Sequence, residues 1–155
     1  MKPLAVRLLE QRRIPHDLVT FDAAIRDAGE VAAATGMPPE QVFKTLVVES
    51  DPPRGKPFLV VVPSTREVDL KLLASVVGAK RLRMASHRDA ERVTGLKVGG
   101  ISALALLGKG FPCLVDESAV AFDAILVSAG ERGFDVRIGV ADFVTLTGAK
   151  PVATA

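Results

Sequence analysis

The fold is decided by two neighbouring apolar stretches, Val42-Phe43-Lys44-Thr45-Leu46-Val47-Val48-Glu49 and Phe58-Leu59-Val60-Val61-Val62. Apolar runs of this length, rich in valine, are typical of strands buried on both faces, so we predict strands over 44–49 and 58–62. Residues 50–56 lie between them and contain two prolines and a glycine, a composition typical of a turn. We therefore expect the two strands to pair as a hairpin.

Helical patterns surround this hairpin. Asp27 with Glu30 forms a capping box ahead of a run that ends at Gly36, and Asp69 and Ser86 precede two later runs that also end at glycines. Such signals predict five helices, over 3–13, 28–35, 70–77, 87–94 and 141–147. Five further strands are predicted over 17–21, 80–84, 113–116, 124–128 and 134–138. Because hairpins mix with helical crossovers, we expect an α/β (α+β) fold whose mixed sheet has about seven strands and about five surrounding helices.

Length and composition indicate one ordinary globular domain. The chain has 155 residues, 48% hydrophobic and 25% charged, and we expect a single domain over 1–150 with a frayed tail over 151–155. No apolar run approaches the ~20 residues of a membrane helix, and no secretory signal is recognisable, so we predict a cytoplasmic protein without membrane contact. The net charge of +2 permits a nucleic-acid partner without implying one. The sequence does not indicate an oligomeric state.

The sequence lacks the common catalytic and cofactor signatures. It has no Gly-x-Ser-x-Gly nucleophile motif, no phosphate-binding loop and no dinucleotide-binding glycine motif after a strand. Its two histidines, His16 and His87, match no metal-ligand spacing. Its one cysteine, Cys113, begins an apolar strand and is expected to be a buried, inert thiol. We therefore expect neither a metal nor a cofactor.

Lys44 is a charged residue at the start of an otherwise apolar strand. Burying its ammonium group without an anionic partner is costly. Two explanations stay open from the residues alone: the side chain reaches solvent at the strand end, or a phosphate or carbonyl oxygen of a ligand is the missing partner. The Gly99-Gly100 pair and the turn over 127–133 are further candidates, since glycine lets the backbone approach a ligand, although a plain turn explains each as well.

Taken in order, these segments resemble the YbaK/EbsC family of aminoacyl-tRNA deacylases, which is related to the editing insertion of bacterial prolyl-tRNA synthetase. The resemblance rests on Val42-Phe43-Lys44-Thr45-Leu46, Asp69-Leu70-Lys71 with Gly78-Ala79-Lys80, Thr94-Gly95 with Val98-Gly99-Gly100-Ile101-Ser102, and Val127-Ser128-Ala129-Gly130-Glu131-Arg132-Gly133. It covers the chain from the first helix to about Lys150 and is greatest to the free-standing Cys-tRNA(Pro) deacylases. It implies a mixed, partly barrel-like sheet wrapped by helices.

The resemblance also implies an activity and a set of site residues. The activity is trans-editing, a substrate-assisted and metal-free hydrolysis of misacylated tRNA, with aminoacyl-tRNA as substrate and prolyl-tRNA synthetase as a candidate partner. The implied catalytic residues are Lys44, Gly100 and Ser128. The implied substrate-binding residues are Phe21, Thr45, Gly99, Ile101, Ser102, Gly130, Arg132 and Asp135.

The chain departs from the family pattern at two positions. Ala103 stands where many relatives have a proline that would stiffen the loop, and Phe21 stands where some have tyrosine. The first difference affects the expected rigidity of the loop and hence substrate selectivity. The second removes a hydroxyl group.

A group of cations that lie close together in sequence is a candidate for contact with tRNA phosphates: Lys80, Arg81, Arg83, Arg88 and Arg92. Ordinary solvated helix and strand faces would explain the same charges. Two other functions also stay open. One is a deacylase for another amino acid, such as Ala, Ser, Thr or a non-protein amino acid. The other is a module that binds tRNA or a nucleotide without catalysis.

Overall fold

Helices and strands alternate along the chain in the computed structural model, which describes residues 2–155. Its five α-helices are α1 (Leu4–Gln11), α2 (Ala28–Thr35), α3 (Leu70–Val77), α4 (His87–Thr94) and α5 (Val140–Thr147). Its eight strands are β1 (His16–Thr20), β2 (Phe43–Ser50), β3 (Phe58–Pro63), β4 (Leu82–Met84), β5 (Cys113–Asp116), β6 (Ala124–Glu131), β7 (Phe134–Gly139) and β8 (Lys150–Val152). Short 3-10 helices, Pro39–Gln41 and Glu117–Ala121, precede β2 and β6. Every helix and strand predicted from the sequence is present: α2, α3, α4 and β5 have the predicted ends, and the ends of the others are shifted.

Local sequence explains where most helices begin and end. The side chains of Asp27, Asp69 and Ser86 each accept a hydrogen bond from the main-chain N–H three residues further on, at 3.0–3.1 Å. These bonds satisfy donors that the first turn of a helix leaves free. Helices α2 to α5 each end at a glycine with φ between 68° and 74°, a conformation that other residues adopt at a cost.

The strands form two sheets. The larger has the order β4-β2-β3-β5-β8, in which β2 is antiparallel to β3 and β4, while the β3–β5 and β5–β8 pairs are parallel. The predicted hairpin is confirmed, with Lys44 opposite Val62. The smaller sheet has the order β1-β7-β6 and is antiparallel throughout. The predicted mixed α+β fold is therefore confirmed.

The two sheets meet at a single parallel bridge between Val42 and Leu126. Both residues are buried, with 1% and 0% of their surface exposed, and they pack with Val31 and Ala32 of α2. Beyond the bridge, β2 and β6 do not pair, and the sheets do not close into a barrel. The predicted partly barrel-like sheet is therefore two sheets, and the pocket described below lies between β2 and β6.

The end of the chain differs from the frayed tail predicted over 151–155. Residues 150–152 form β8 at an edge of the larger sheet, and the Thr154 hydroxyl donates a 2.6 Å hydrogen bond to Asp116 Oδ1. Thr154 and Asp116 are both fully buried, and Arg66 Nη1 lies 3.1 Å from the same carboxylate oxygen. The tail is thus ordered by a buried polar cluster that links it to β5. Among residues 2–155, no helix is long and apolar enough to cross a membrane.

Candidate functional site

A pocket of about 210 Å³ lies in the gap between β2 and the β6–β7 pair. Strand β2, the starts of α2 and α4, the loop over 97–102, and facing residues of β6 and β7 all contribute to its wall. The inner wall consists of Ala28, Val31, Phe43, Lys44, Thr45, Leu46, Val47, Ala85, Ala90, Val98, Gly99, Ile101, Ser128 and Asp135. The remaining lining residues are all exposed and form the mouth of the pocket: Arg26, Asp27, Met84 and His87.

Of the eleven catalytic and substrate-binding residues predicted from the sequence, six line this pocket and five do not. The six are Lys44, Thr45, Gly99, Ile101, Ser128 and Asp135. The five outside the lining are Phe21, Gly100, Ser102, Gly130 and Arg132, which instead hold the lining elements in place. Phe21 packs with the cluster around Val42, and its N–H donates to the Gly133 carbonyl at 3.0 Å.

Lys44 and Ser128 occupy equivalent positions on the two diverging strands. Each follows by two residues one member of the Val42–Leu126 bridge, and the bridge is parallel. Because side chains alternate along a strand, Lys44 and Ser128 point to the same side as the bridging pair. Within residues 2–155, the Lys44 ammonium makes no salt bridge or hydrogen bond, and the residue is only partly exposed. Its charge therefore has no partner within residues 2–155 and is available to a ligand in the pocket.

The edge of β2 that faces the pocket has no strand partner beside Thr45. One edge of β2 pairs with β3, whereas the other pairs with β6 only just before the strand, at Val42, and with β4 only from Val48 onward. On this second edge, the Ala85 N–H donates to the Val47 carbonyl at 3.0 Å. Main-chain groups of alternate residues point to the same edge of a strand. The N–H and C=O of Thr45 therefore face the pocket.

A β-bulge orients Ser128. The β6–β7 register shifts between Ser128 and Glu131, and the Gly130 N–H donates to Ser128 Oγ at 3.2 Å. The hydroxyl oxygen is therefore held as an acceptor, and its proton is free to be donated to a ligand. Gly130 has φ of 99°, and a Cβ there would lie 2.8 Å from Ala105 Cβ, so the bulge requires glycine.

Asp135 places a buried carboxyl group directly opposite Ser128 in the β6–β7 ladder. Only 6% of its surface is exposed, and burial raises the pKa of this carboxyl to about 7. No salt bridge or hydrogen bond to its side chain occurs within the described residues 2–155. A carboxyl group that titrates near neutral pH inside a pocket is a frequent feature of functional sites.

Hydrogen bonds that involve main-chain groups of residues 97–102 hold this loop in place. Val98 N–H donates to Glu91 Oε2 and its carbonyl accepts from Arg132 Nε, both at 2.8 Å. The Val98 hydrogen bond is the main reason that the pKa of Glu91 lies below its usual value. The Gly100 N–H already donates to the Lys97 carbonyl at 2.7 Å. That N–H is therefore occupied within the loop.

The two glycines of this loop make room for neighbouring parts of the protein. A Cβ on Gly100 would lie 3.1 Å from both Glu131 C and Arg132 N, so the loop packs against the main chain of the β6–β7 turn. A Cβ on Gly99, which has φ of 91°, would lie 3.0 Å from Arg26 Cβ. Next along the chain, Ser102 is buried, and its hydroxyl accepts from Ala105 N–H at 3.1 Å.

The mouth of the pocket was not predicted from the sequence. Arg26 directly precedes the N-cap of α2, and His87 is the first residue of α4, and neither lies in a recognised motif. Both residues are exposed and unmarked by their sequence neighbours, so only the approach of two separate helices to one pocket distinguishes them. The N-cap residues Asp27 and Ser86 do predict where both helices begin, but not that the helices converge.

The predicted group of tRNA-binding cations is partly neutralised. Arg83 Nε lies 2.9 Å from Glu49 Oε1, Arg81 is paired with Asp51, and Arg92 with the aspartate three residues before it. Lys80 and Arg88 make no salt bridge within the part of the chain that the structure describes. Of this segment, only Met84, Ala85, His87 and Ala90 line the pocket.

Two further reactive side chains, Cys113 and His16, lie outside the pocket lining. Cys113 is buried at the start of β5, as predicted, and burial raises the pKa of its thiol to about 12. His16 Nδ1 lies 2.8 Å from the Ile14 carbonyl oxygen, near the start of β1. In the described range 2–155, no three His, Cys, Asp or Glu side chains are grouped so as to hold a metal ion.

The fold and the pocket together define a small α+β domain with a pocket between two sheets. This chain belongs to the aminoacyl-tRNA editing domain family, whose model matches residues 22–146. The resemblance to the YbaK/EbsC deacylases that was predicted from the motifs is thereby confirmed.

Individual relatives agree with this assignment. The chain is 35% identical over 149 residues to the Enterococcus faecalis (strain ATCC 700802 / V583) protein named "Putative Cys-tRNA(Pro)/Cys-tRNA(Cys) deacylase EbsC", covering 94% of this chain and 88% of that one. It is 25% identical to the crystal structure of "a putative trans-editing enzyme for prolyl tRNA synthetase", with a TM-score of 0.82 and coverage of 99% and 98%. The fold is also that of hypothetical protein APE2540, at 20% identity and a TM-score of 0.87, covering 97% and 98% of the two chains.

Proposed function

We propose that this protein hydrolyses the ester bond of misacylated tRNA in trans, with Cys-tRNA(Pro) as its substrate. The observation that carries the proposal is the free Lys44 ammonium in a pocket that also holds the Ser128 hydroxyl and the buried Asp135 carboxyl. The name of the Enterococcus faecalis relative supports the choice of amino acid and tRNA. The trans-editing name of the similar crystal structure supports prolyl-tRNA synthetase as the partner that supplies the substrate.

The substrate itself supplies the nucleophile in this proposal. The cysteine thiol attacks its own ester carbonyl, the new C–S bond closes a thiolactone, and the C–O bond to the terminal ribose breaks. The thiol proton passes to the departing ribose oxygen, and water then opens the thiolactone. The protein contributes placement and electrostatic stabilisation. The buried Cys113, with a pKa of about 12, lies outside the pocket lining and takes no part.

Each polar group of the pocket has a role in this scheme. Lys44 holds the terminal ribose or its phosphate, and Ser128 donates its free proton to the ester carbonyl. The Thr45 N–H stabilises the negative charge that develops on that oxygen. Asp135, when ionised, binds the α-ammonium group of the amino acid. Gly100 acts by packing, because its N–H is occupied by the Lys97 carbonyl.

Apolar side chains form the rest of the inner wall and fit a small, uncharged amino-acid side chain. Phe43, Val47, Ala90 and Ile101 are all buried there. Such a lining excludes water, and it strengthens the electrostatic interactions of the polar groups.

A panel of tRNA(Pro) charged with Cys, Ser, Ala or Thr tests this function. Single-turnover hydrolysis should be fastest for Cys-tRNA(Pro), and Ser-tRNA(Pro) should be much slower because its hydroxyl is a weaker nucleophile than a thiol. Equal rates for Cys and Ser would contradict attack by the thiol. Rapid hydrolysis of Ala-tRNA(Pro) alone would assign a different amino acid, and no hydrolysis with measurable tRNA binding would favour a binding module. Strong inhibition by a chelator would contradict the metal-free scheme.

A further inference from the structure

Arg26 is a cation at the mouth of the pocket that the scheme above does not use. It is exposed, and its guanidinium group makes no hydrogen bond or salt bridge within residues 2–155. The stem of the side chain is nevertheless packed, because Gly99 lies against it. A Cβ on Gly99 would approach Arg26 Cβ to 3.0 Å and Arg26 Cγ to 3.2 Å. The loop glycine thus holds the base of a side chain whose charged end has no protein partner.

Other features of the mouth also favour an anion. Helix α2 begins at Ala28 and α4 at His87, and both residues line the pocket. The N-terminus of a helix carries partial positive charge, although one first-turn N–H of each helix is already bonded to its cap, Asp27 or Ser86. The one acidic residue of the mouth, Asp27, is engaged as the cap of α2, where its Oδ2 accepts from Glu30 N–H at 3.1 Å. Within the described residues 2–155, the mouth therefore has one guanidinium group without a protein partner, beside two capped helix starts.

The pocket changes in character from its mouth to its inner wall. Lys44 and Ser128 are half-buried and Asp135 is buried, whereas Arg26 and His87 are exposed. An aminoacyl-tRNA has a matching order: the amino acid is at the tip, then the terminal ribose, then the phosphodiester on the 5′ side of that nucleotide. A substrate that places its amino acid against the inner wall would leave this phosphodiester at the mouth.

We propose that Arg26 binds the phosphodiester on the 5′ side of the terminal nucleotide of the tRNA. This proposal rests on the proposed function. It assigns the phosphate to Arg26, and it assigns the ribose and the ester to Lys44. A guanidinium group matches two phosphate oxygens with parallel hydrogen bonds, which suits it to this position better than an ammonium group.

Two small substrates separate this contact from the rest of the tRNA. One is the 3′-cysteinyl ester of adenosine, and the other is the same ester with a 5′-methylphosphate. The wild type should hydrolyse the phosphorylated ester with a kcat/KM about tenfold higher or more, as expected for hydrogen bonds to a charged group. Arg26→Ala should abolish this preference by lowering the rate on the phosphorylated ester to about that on the unphosphorylated one, and Arg26→Lys should keep part of it.

Arg54→Ala is the matched control, since Arg54 is an exposed arginine in the turn between β2 and β3, outside the pocket lining. It should keep the full preference for the phosphorylated ester. An Arg26→Ala variant that keeps the preference, or a wild type that has none, would overturn the assignment while leaving the deacylase function in place.

Equilibrium binding provides a readout that does not depend on catalysis. The wild type should bind adenosine 5′-methylphosphate more tightly than adenosine, and Arg26→Ala should bind the two with equal affinity. If no ester is hydrolysed, the proposed function fails. The difference in affinity then tests by itself whether Arg26 binds the phosphate. Equal affinities in the wild type would then reject the phosphate site.

Discussion

Ser128 lies directly opposite Asp135 in the β6–β7 ladder, so a hydroxyl group and a buried carboxyl group face the same pocket. The β-bulge that follows Ser128 turns its oxygen toward the Gly130 N–H, while Asp135 has no partner within residues 2–155. Burial without a partner raises the pKa of Asp135 to about 7, and this has a consequence for stability.

Asp135→Asn should change how stability depends on pH. Because the pKa in the folded protein is above the ordinary value of 3.8, the stability associated with Asp135 is fully present below about pH 4 and is lost as pH rises through 7. The asparagine variant should therefore be more stable than the wild type at pH 8, by at most about 4 kcal/mol, and lose this advantage near pH 4. Urea unfolding at both pH values measures the difference. An advantage that is equal at the two pH values would contradict the assignment, and Asp17→Asn on the exposed face of β1 controls for the loss of one carboxylate.

Gly100→Ala should destabilise the protein by about 1–3 kcal/mol, the usual cost of overpacking. The backbone of Gly100 does not have a positive φ, so the cost comes from the contact of the new methyl group with Glu131 and Arg132. Gly139→Ala is the matched control, because a Cβ there meets its nearest atoms at 3.6 Å and 3.8 Å. Thermal unfolding compares the two variants, and equal midpoints would show that the loop and the turn are not tightly packed.

Thr154→Val should destabilise the fold by about 1–3 kcal/mol, because it removes a hydrogen bond from the fully buried Asp116 carboxylate. Valine has nearly the same shape, so the loss is that of the hydroxyl group. The change Thr145→Val on an exposed position of α5 provides the comparison. A Thr154 variant as stable as this control would mean that the end of the chain is not anchored through Asp116.

The secondary structure was largely predictable because it depends on local signals. Valine-rich runs define β2 and β3, and the side-chain caps and terminal glycines define α2, α3 and α4. Strand β8 was not predicted, because three residues that begin with lysine and proline have little strand character of their own. This strand depends on pairing with β5, which is distant in sequence.

The site was predictable only where a motif marks it. Lys44 was visible as a charge in an apolar strand, and Ser128 and Asp135 came from the family resemblance. Arg26 and His87 have no such signal, because the folding of two separate helices brings them to one mouth. For the glycine pair at 99 and 100, the sequence left open a close approach to a ligand or a plain turn, and the close contacts at both glycines are with the protein itself.

Lys44→Ala tests the central claim most directly, with Lys44→Met as a second variant that keeps the apolar stem. Single-turnover hydrolysis of Cys-tRNA(Pro) should fall by about 100-fold or more in both variants, the loss typical of removing one electrostatic contact in the transition state. Both variants should remain folded, since the ammonium group has no protein partner within residues 2–155. Full activity in a folded variant would contradict the account and remove Lys44 from the mechanism.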